Sequence, residues 1–218
     1  MFADRFYMKV KKVLILSLIM FISCFGNTAY SDDSLVSENF LKRHSGKAFD
    51  PSREISYDQL LALIQAARWA CSSFNDQPWN FIICERSITP EAYQKALSSI
   101  IPSQQKWAMN APMLVVIIAR TNFLYNGKFN EWAEYDTGAA AISMALQACD
   151  LDLMTHQIGG FDKSKIIQDF ELEENFKPLS IMAIGYESEG DSNPEPRTRR
   201  QIGENFFLGG TEQSVPEW

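Results

Sequence analysis

Histidine is nearly missing from this chain. Only His44 and His156 occur in 218 residues, and neither sits in a zinc-ligand or catalytic-triad pattern. No Gly-x-Ser-x-Gly elbow is present either, so nucleophilic hydrolysis has no support. Cysteine is scarce. Of the four, Cys24 falls in the first 31 residues, leaving Cys71, Cys84 and Cys149, an odd number without metal-type spacing. That excludes a disulfide framework, and the apolar surroundings of each thiol suit a small buried hydrophobe. No glycine-rich phosphate loop follows a strand, and there are no internal repeats or low-complexity segments. Positive charge is in deficit. The formal charge is −7, and the first 31 residues hold Arg5, Lys9, Lys11 and Lys12 against Asp4, so the remainder carries −10. An acidic body argues against nucleic acid as a partner.

What is present is a globular body behind a basic, apolar leader. Hydrophobic residues make up 46% of the chain and aromatics 12%, enough for one or two domains with a sizeable core. Lys9, Lys11 and Lys12 precede the apolar run Val13 to Phe25, and Ala29-Tyr30-Ser31 supplies a small-x-small cleavage pattern. Residues 1–31 therefore read as an export signal ahead of a single domain over residues 32–218, periplasmic or secreted. An uncleaved membrane anchor is the alternative, although the run is short for a spanning helix. Ile22-Ser23-Cys24 resembles a lipoprotein attachment site, with Phe21 a poor residue at its start. Met1 and Met8 both serve as starts. Every version carries the body out of the cytoplasm, because the lysines stay inside.

Along the body, Asp33 to Lys42 carries Leu35, Val36, Phe40 and Leu41 at helical spacing. Ser56-Tyr57-Asp58-Gln59 is a capping box that opens a second helix. Trp79 to Cys84 reads as a strand, and Thr89-Pro90-Glu91 starts a helix running to about Ile101. Met113 to Ala119 is a continuous apolar run, hence a buried central strand. Residues 134–149 predict an alanine-rich helix, apolar almost all round and therefore buried. Met154 to Ile158 and Ser180 to Gly185 read as strands, with a short helix from Lys163 to Phe170 between them. From Glu187 the chain is polar and proline-rich, with no packing pattern. Strands and helices mix without regular βαβ alternation, which points to α+β.

With so little acid–base machinery, an enzyme of this sequence needs a borrowed reactive centre, a cofactor. Asp50 and Asp136 are available as acids, but no pairing is visible, and solvated or capping roles suit both. Four stretches suit a cofactor. Arg43, Ser45 and Lys47 share one parity in Arg43-His44-Ser45-Gly46-Lys47-Ala48-Phe49, so an extended backbone aims all three at one side, where a phosphate fits. The plainer alternative is a basic helix end facing water. Cys71-Ser72-Ser73-Phe74-Asn75-Asp76-Gln77-Pro78-Trp79 offers neutral hydrogen bonds for a heteroaromatic edge, or an ordinary turn. Gly159 and Gly160 follow a strand and precede a helix, allowing close backbone approach, or a plain tight turn. Pro196-Arg197-Thr198-Arg199-Arg200 is a second cationic cluster, or a solvated tail.

In this order and register, Leu41-Lys42-Arg43-His44-Ser45-x-Lys47-Ala48-Phe49-Asp50, Ser72-Ser73-x-Asn75-x-Gln77-Pro78-Trp79, Asp136-Thr137-Gly138-Ala139-Ala140, Gly159-Gly160-Phe161-Asp162 and Pro196-Arg197-Thr198-Arg199 make the chain similar to the nitroreductase family of FMN-dependent oxidoreductases. The resemblance covers about residues 34 to 211. It implies a nitroreductase-like fold with a central mixed β-sheet flanked by helices, and an intertwined homodimer with FMN in two interface clefts. By that resemblance Arg43, Ser45 and Lys47, with His44 among them, would hold the FMN phosphate, ribityl chain and pyrimidine side. Arg197 and Arg199 would complete the phosphate grip. Cys71, Ser72, Ser73 and Asn75 would come from the partner subunit and meet the ring. Gly159 and Gly160 would present backbone N–H groups to flavin N5; many relatives carry an acidic residue where Gly159 stands, but a backbone contact tolerates either. The implied chemistry is ping-pong, from NAD(P)H to flavin and then to a nitroaromatic, quinone or similar acceptor. The leader sits oddly with this, since NAD(P)H is scarce outside the cytoplasm. An exported non-catalytic flavin-binding protein, and an interaction protein reusing the fold, are the competing readings.

Overall fold

The computed structural model describes residues 35–188 and 197–215. The expected leader, residues 1–31, lies outside the described residues. Contacts divide the chain into two compact units, Val36–Pro196 and a terminal unit to which residues 197–215 belong.

The larger unit runs α1 (Glu38–Lys42), α2 (Tyr57–Arg68), β1 (Trp79–Glu85), α3 (Pro90–Ser99), α4 (Pro102–Ala108), β2 (Met113–Arg120), α5 (Ala133–Asp150), β3 (Met154–Ile158), α6 (Lys163–Asp169) and β4 (Phe176–Gly185). The capping box forms as its residues require. The Ser56 hydroxyl accepts from the Gln59 N–H at 3.2 Å, and the Ser56 N–H donates to the Gln59 side chain at 3.0 Å. Pro90 opens α3. That helix stops at Ser99 and not near Ile101, because Pro102 disfavours helical geometry in the residue before it. Ile100 and Ile101 are extended, and Pro102 then begins α4, a helix the periodicity concealed. The first helix is also shorter than expected, and α1 buries no residue.

The four strands form one sheet in the order β1-β2-β4-β3. Every pairing among them is antiparallel. The α+β class is met, but the expected mixed sheet is corrected: among the described residues no pair is parallel. The chain passes from β2 through α5 to the far edge as β3, then returns as β4 between the two, antiparallel to both. β4 starts four residues ahead of the expected Ser180. Pro178 hid that start, and it is tolerated because the register with β2 shifts at Ile117/Ile118, a bulge that relieves the ladder of one N–H.

Alternation along β2 divides the core between the two faces of the sheet. Leu114, Val116 and Ile118 pack with Ile181 and Ala183 against α3, α4 and α6. Met113, Val115 and Ile117 pack with Met182 and Ile184 against α2 and α5. All seven residues from Met113 to Ala119 are at most 1% exposed, as a strand covered on both faces requires. Helix α5 departs from its expected all-round burial. Ala133, Thr137, Ala140, Met144 and Ala148 face the sheet, whereas Tyr135 and Ile142 are exposed. No helix among the described residues is long and apolar enough to cross a membrane.

In the terminal unit a short 3-10 turn, Ile202–Glu204, precedes a bridge between Phe207 and Ser214.

Candidate functional site

Residues 43–48 form a strap laid along the edge strand β3. Its carbonyl at Gly46 accepts from His156 Nδ1 at 2.9 Å. Because a carbonyl only accepts, that contact puts the proton on Nδ1. Gly46 lies so close to Met154 that a Cβ there would overlap the thioether sulfur, which makes glycine the residue that permits the approach. Beyond the strap, Phe49 bridges Glu187, and the Asp50 N–H donates to the Tyr186 carbonyl at 2.9 Å. His44 turns back to Lys42 O at 3.0 Å and to the Glu187 carboxylate at 3.2 Å. With His44 and Gly46 held to the body, Ser45 and Lys47 are exposed, whereas Arg43 is half-buried as His44 is. A cavity of about 420 Å³ opens beside the strap, lined in part by Arg43, His44, Met154, Thr155 and Glu187.

His156 is packed against the Trp107 ring, with centroids 4.5 Å apart. Burial holds its pKa below the ordinary histidine value. The Gly46 carbonyl opposes that shift and the nearby Lys47 charge reinforces it. The imidazole is thus a neutral clamp on the strap. Its role was not legible in the sequence, where it belonged to no motif.

Three residues beyond His156, roughly 10 Å along the strand at 3.3 Å per residue, β3 ends in the glycine turn. Gly159 is exposed, and a Cβ on it would meet nothing within 4 Å. Gly160 packs against the start of α4, where a Cβ would sit 2.7 Å from Gln104 Oε1 and 2.9 Å from Ile101 Cδ1. Neither glycine N–H finds a protein acceptor among the described residues. Gln104 Oε1 is buried without a hydrogen-bond partner, a cost of about 1–3 kcal/mol unless a ligand or water meets it. No pattern pointed to Gln104; only its unsatisfied burial does.

The hydroxyl-and-amide loop is built on the other edge of the sheet, ahead of β1. Phe74 and Asn75 have φ of 55° and Gln77 of 50°, left-handed geometry that side chains of this size seldom adopt and that costs on the order of 1 kcal/mol each. Two carboxylates hold it. Asp136 on α5 accepts from the Ser73 N–H at 2.9 Å. Asp76 pairs with Arg120 at 2.8 Å, its carboxylate 2% exposed. The Ser72 hydroxyl accepts from the Gln77 N–H at 3.1 Å, so part of its hydrogen bonding is internal, while Cys71 is exposed. The Asp136 carboxylate is thus engaged in holding the loop, and Asp50 accepts from the Ser52 N–H and hydroxyl, at 2.9 and 2.6 Å.

The structure therefore brings Arg43, Ser45 and Lys47 to the same edge strand as Gly159 and Gly160. Cys71, Ser72, Ser73 and Asn75 belong to the opposite edge, three strand spacings or roughly 14 Å away. Arg197 and Arg199 are exposed residues of the terminal unit, Arg199 donating to the Thr198 carbonyl at 2.9 Å.

The family model described as the nitroreductase family matches residues 41–186. The chain belongs to the nitroreductase family. Among relatives of this nitroreductase-family chain, the oxygen-insensitive NAD(P)H nitroreductase of Enterobacter cloacae is 30% identical over 200 residues, taking in 73% of this chain and 92% of that one. A solved oxidoreductase containing FMN superposes with a TM-score of 0.74 at 29% identity, over 82% of this chain and 94% of its own. A nitroreductase family protein of Clostridium difficile 630 shares the fold, with a TM-score of 0.66 at 24% identity and coverage of 79% and 97%.

Proposed function

We propose that this chain is an FMN-dependent oxidoreductase that takes electrons from NAD(P)H and delivers them in pairs to a small acceptor such as a nitroaromatic or quinone. Membership of a family with NAD(P)H-using relatives and an FMN-containing structural neighbour supports the coarse reading. The observation that carries it to these residues is the strap on β3: exposed Ser45 and Lys47 beside half-buried Arg43, pinned at Gly46 by His156, about 10 Å along the strand from the glycine turn.

The residues fit FMN. Two cations and a hydroxyl suit a phosphate and its sugar-alcohol chain. Two unengaged glycine N–H groups and the orphaned Gln104 amide suit the hydrogen-bonding edge of a flat ring. FMN, when bound, supplies two-electron transfer at its ring, chemistry no side chain here offers. The chain's own work is placement. Lys47, Ser45 and Arg43 bind the charged end. Gly159 and Gly160 admit the ring and donate to it through the backbone. His156 keeps the strap in position and, being neutral, adds no charge beneath it.

The partner subunit supplies the second wall through Cys71, Ser72, Ser73 and Asn75. A homodimer is supported by the apolar residues that α5 leaves exposed, Tyr135 at 74% and Ile142 at 38%. Export by the leader, to the periplasm or the outside, completes the proposal.

The test is to purify the mature chain, record its visible spectrum, and add NADH or NADPH under nitrogen. A yellow protein that bleaches supports the proposal. Bound flavin that neither nucleotide bleaches favours the exported non-catalytic flavin protein, and a colourless protein that ignores added FMN overturns both.

A further inference from the structure

In the stretch Asp136-Thr137-Gly138-Ala139-Ala140 the polar side chains divide. The Thr137 hydroxyl donates back to the Ala133 carbonyl of its own helix at 2.7 Å. Asp136 stands in the first turn of α5 and is 4% exposed. Among the described residues its carboxylate makes one hydrogen bond, and that one leaves the helix: Oδ2 accepts from the Ser73 N–H at 2.9 Å. On the loop side, the Asn75 N–H donates to the Ser72 carbonyl at 3.0 Å and the Asp76 N–H to the Ser73 carbonyl at 3.0 Å. The Gln77 N–H donates to the Ser72 hydroxyl at 3.1 Å. These bonds stay inside the loop. Among the described residues, Ser73 to Asp136 is therefore the hydrogen bond that ties residues 72–75 to the body of the chain. The Ser73 hydroxyl and the Asn75 side-chain amide find no partner among those residues.

We infer that Asp136 is a positioning residue for the cofactor: through the Ser73 peptide it holds the Ser72 and Ser73 hydroxyls and the Asn75 amide as a preformed hydrogen-bonding edge for the flavin ring. The inference rests on the flavin reading, which assigns those groups to the ring. Backbone strain makes an anchor necessary. Phe74 and Asn75, directly after Ser73, both have φ of 55°, and side chains of this size leave that region unless surrounding structure enforces it. Beyond them Asp76 is held by Arg120 at 2.8 Å and by the Leu124 N–H at 2.8 Å. The two strained residues are thus pinned at both ends, and Asp136 is the pin on the side of Ser72 and Ser73. A carboxylate suits that task, because it bonds a backbone N–H more strongly than a neutral acceptor does. The N-terminal end of α5 offsets the cost of burying its charge. With the Ser73 N–H occupied by Asp136, the unpartnered hydroxyl and amide are what the loop offers a ligand.

The experiment compares the whole purified chain with its Asp136→Ala, Asp136→Asn and Thr137→Val variants. FMN is titrated into each apo-protein and followed by flavin fluorescence, and the visible bands of the bound flavin, the sedimentation and the thermal midpoint are recorded. Asp136→Ala should weaken FMN binding about tenfold. Asp136→Asn keeps an acceptor oxygen for the Ser73 N–H and should weaken it only about threefold. In both, the bands of bound flavin should move toward those of free FMN. Thr137→Val breaks a hydrogen bond one residue along the same helix, so it should lower the thermal midpoint and leave FMN affinity unchanged. If Asp136→Ala does not fold, the near-isosteric Asp136→Asn decides by its loss of affinity and its band shift. Unchanged FMN affinity in the Asp136 variants overturns the inference. An equal loss in Thr137→Val also overturns it, because a loosened helix is then the cause, and so does dissociation of the Asp136 variants in sedimentation where the wild type stays associated. A wild-type chain that binds no FMN overturns the functional reading and this inference with it, whereas tight wild-type binding matched by the Asp136 variants overturns this inference alone.

Discussion

His156 Nδ1 donates to the Gly46 carbonyl at 2.9 Å across 110 residues of chain, and this bond seats the Arg43–Lys47 strap on the edge of the sheet. Burial depresses the native pKa of His156, whereas the unfolded imidazole titrates at about 6.5. As pH falls below that value the unfolded chain takes up a proton that the native chain resists, so this residue's stabilising contribution is full above it and is lost as pH falls toward the native pKa. Urea unfolding at pH 7.5 and pH 5.5 should show a drop in wild type that is smaller in His156→Asn, whose amide keeps a donor for Gly46. Identical pH dependence in the two proteins would remove His156 as the source.

The Asp76–Arg120 pair makes a sharper demand on stability. With the carboxylate 2% and the guanidinium 15% exposed, Asp76→Asn leaves a largely buried cation unpaired, at about 3 kcal/mol. Removing both charges together, as Asp76→Asn with Arg120→Met, should recover part of that loss. Denaturant midpoints of the single and double variants check it; additive losses would mean that the two groups do not compensate each other.

Most elements were legible because their causes are local. The Ser56–Gln59 capping box, Pro90 at a helix start and the apolar run from Met113 are each contained in a few residues. The failures have causes at longer range. Pro178 argued against a strand until the bulge opposite Ile117 gave it a place. Alternating burial on α5 was invisible because its outer residues Tyr135 and Ile142 are as apolar as its inner ones. The alternation of His44, Ser45, Gly46 and Lys47 made the exposure of Ser45 and Lys47 legible, but not the half-burial of Arg43. What holds the segment, His156 beneath Gly46, depends on a contact that no local pattern encodes.

The two glycines of the turn should respond differently to a methyl group. Gly160→Ala drives its Cβ toward Gln104 and Ile101, at 2.7 and 2.9 Å, and overpacking of this kind costs roughly 1–3 kcal/mol. Gly159→Ala meets open space and should leave stability within about 0.5 kcal/mol of wild type. Thermal midpoints of the two variants measure the contrast; equal losses would contradict the packing described at Gly160.

Ile142, 38% exposed on the outer face of α5, tests the dimer and the composite cleft together. Ile142→Glu would bury an unpaired charge in a subunit interface and should shift sedimentation toward the monomer. Because the Cys71–Asn75 wall is assigned to the partner, flavin should leave as the dimer dissociates. A monomeric variant that keeps its flavin would show that one chain suffices.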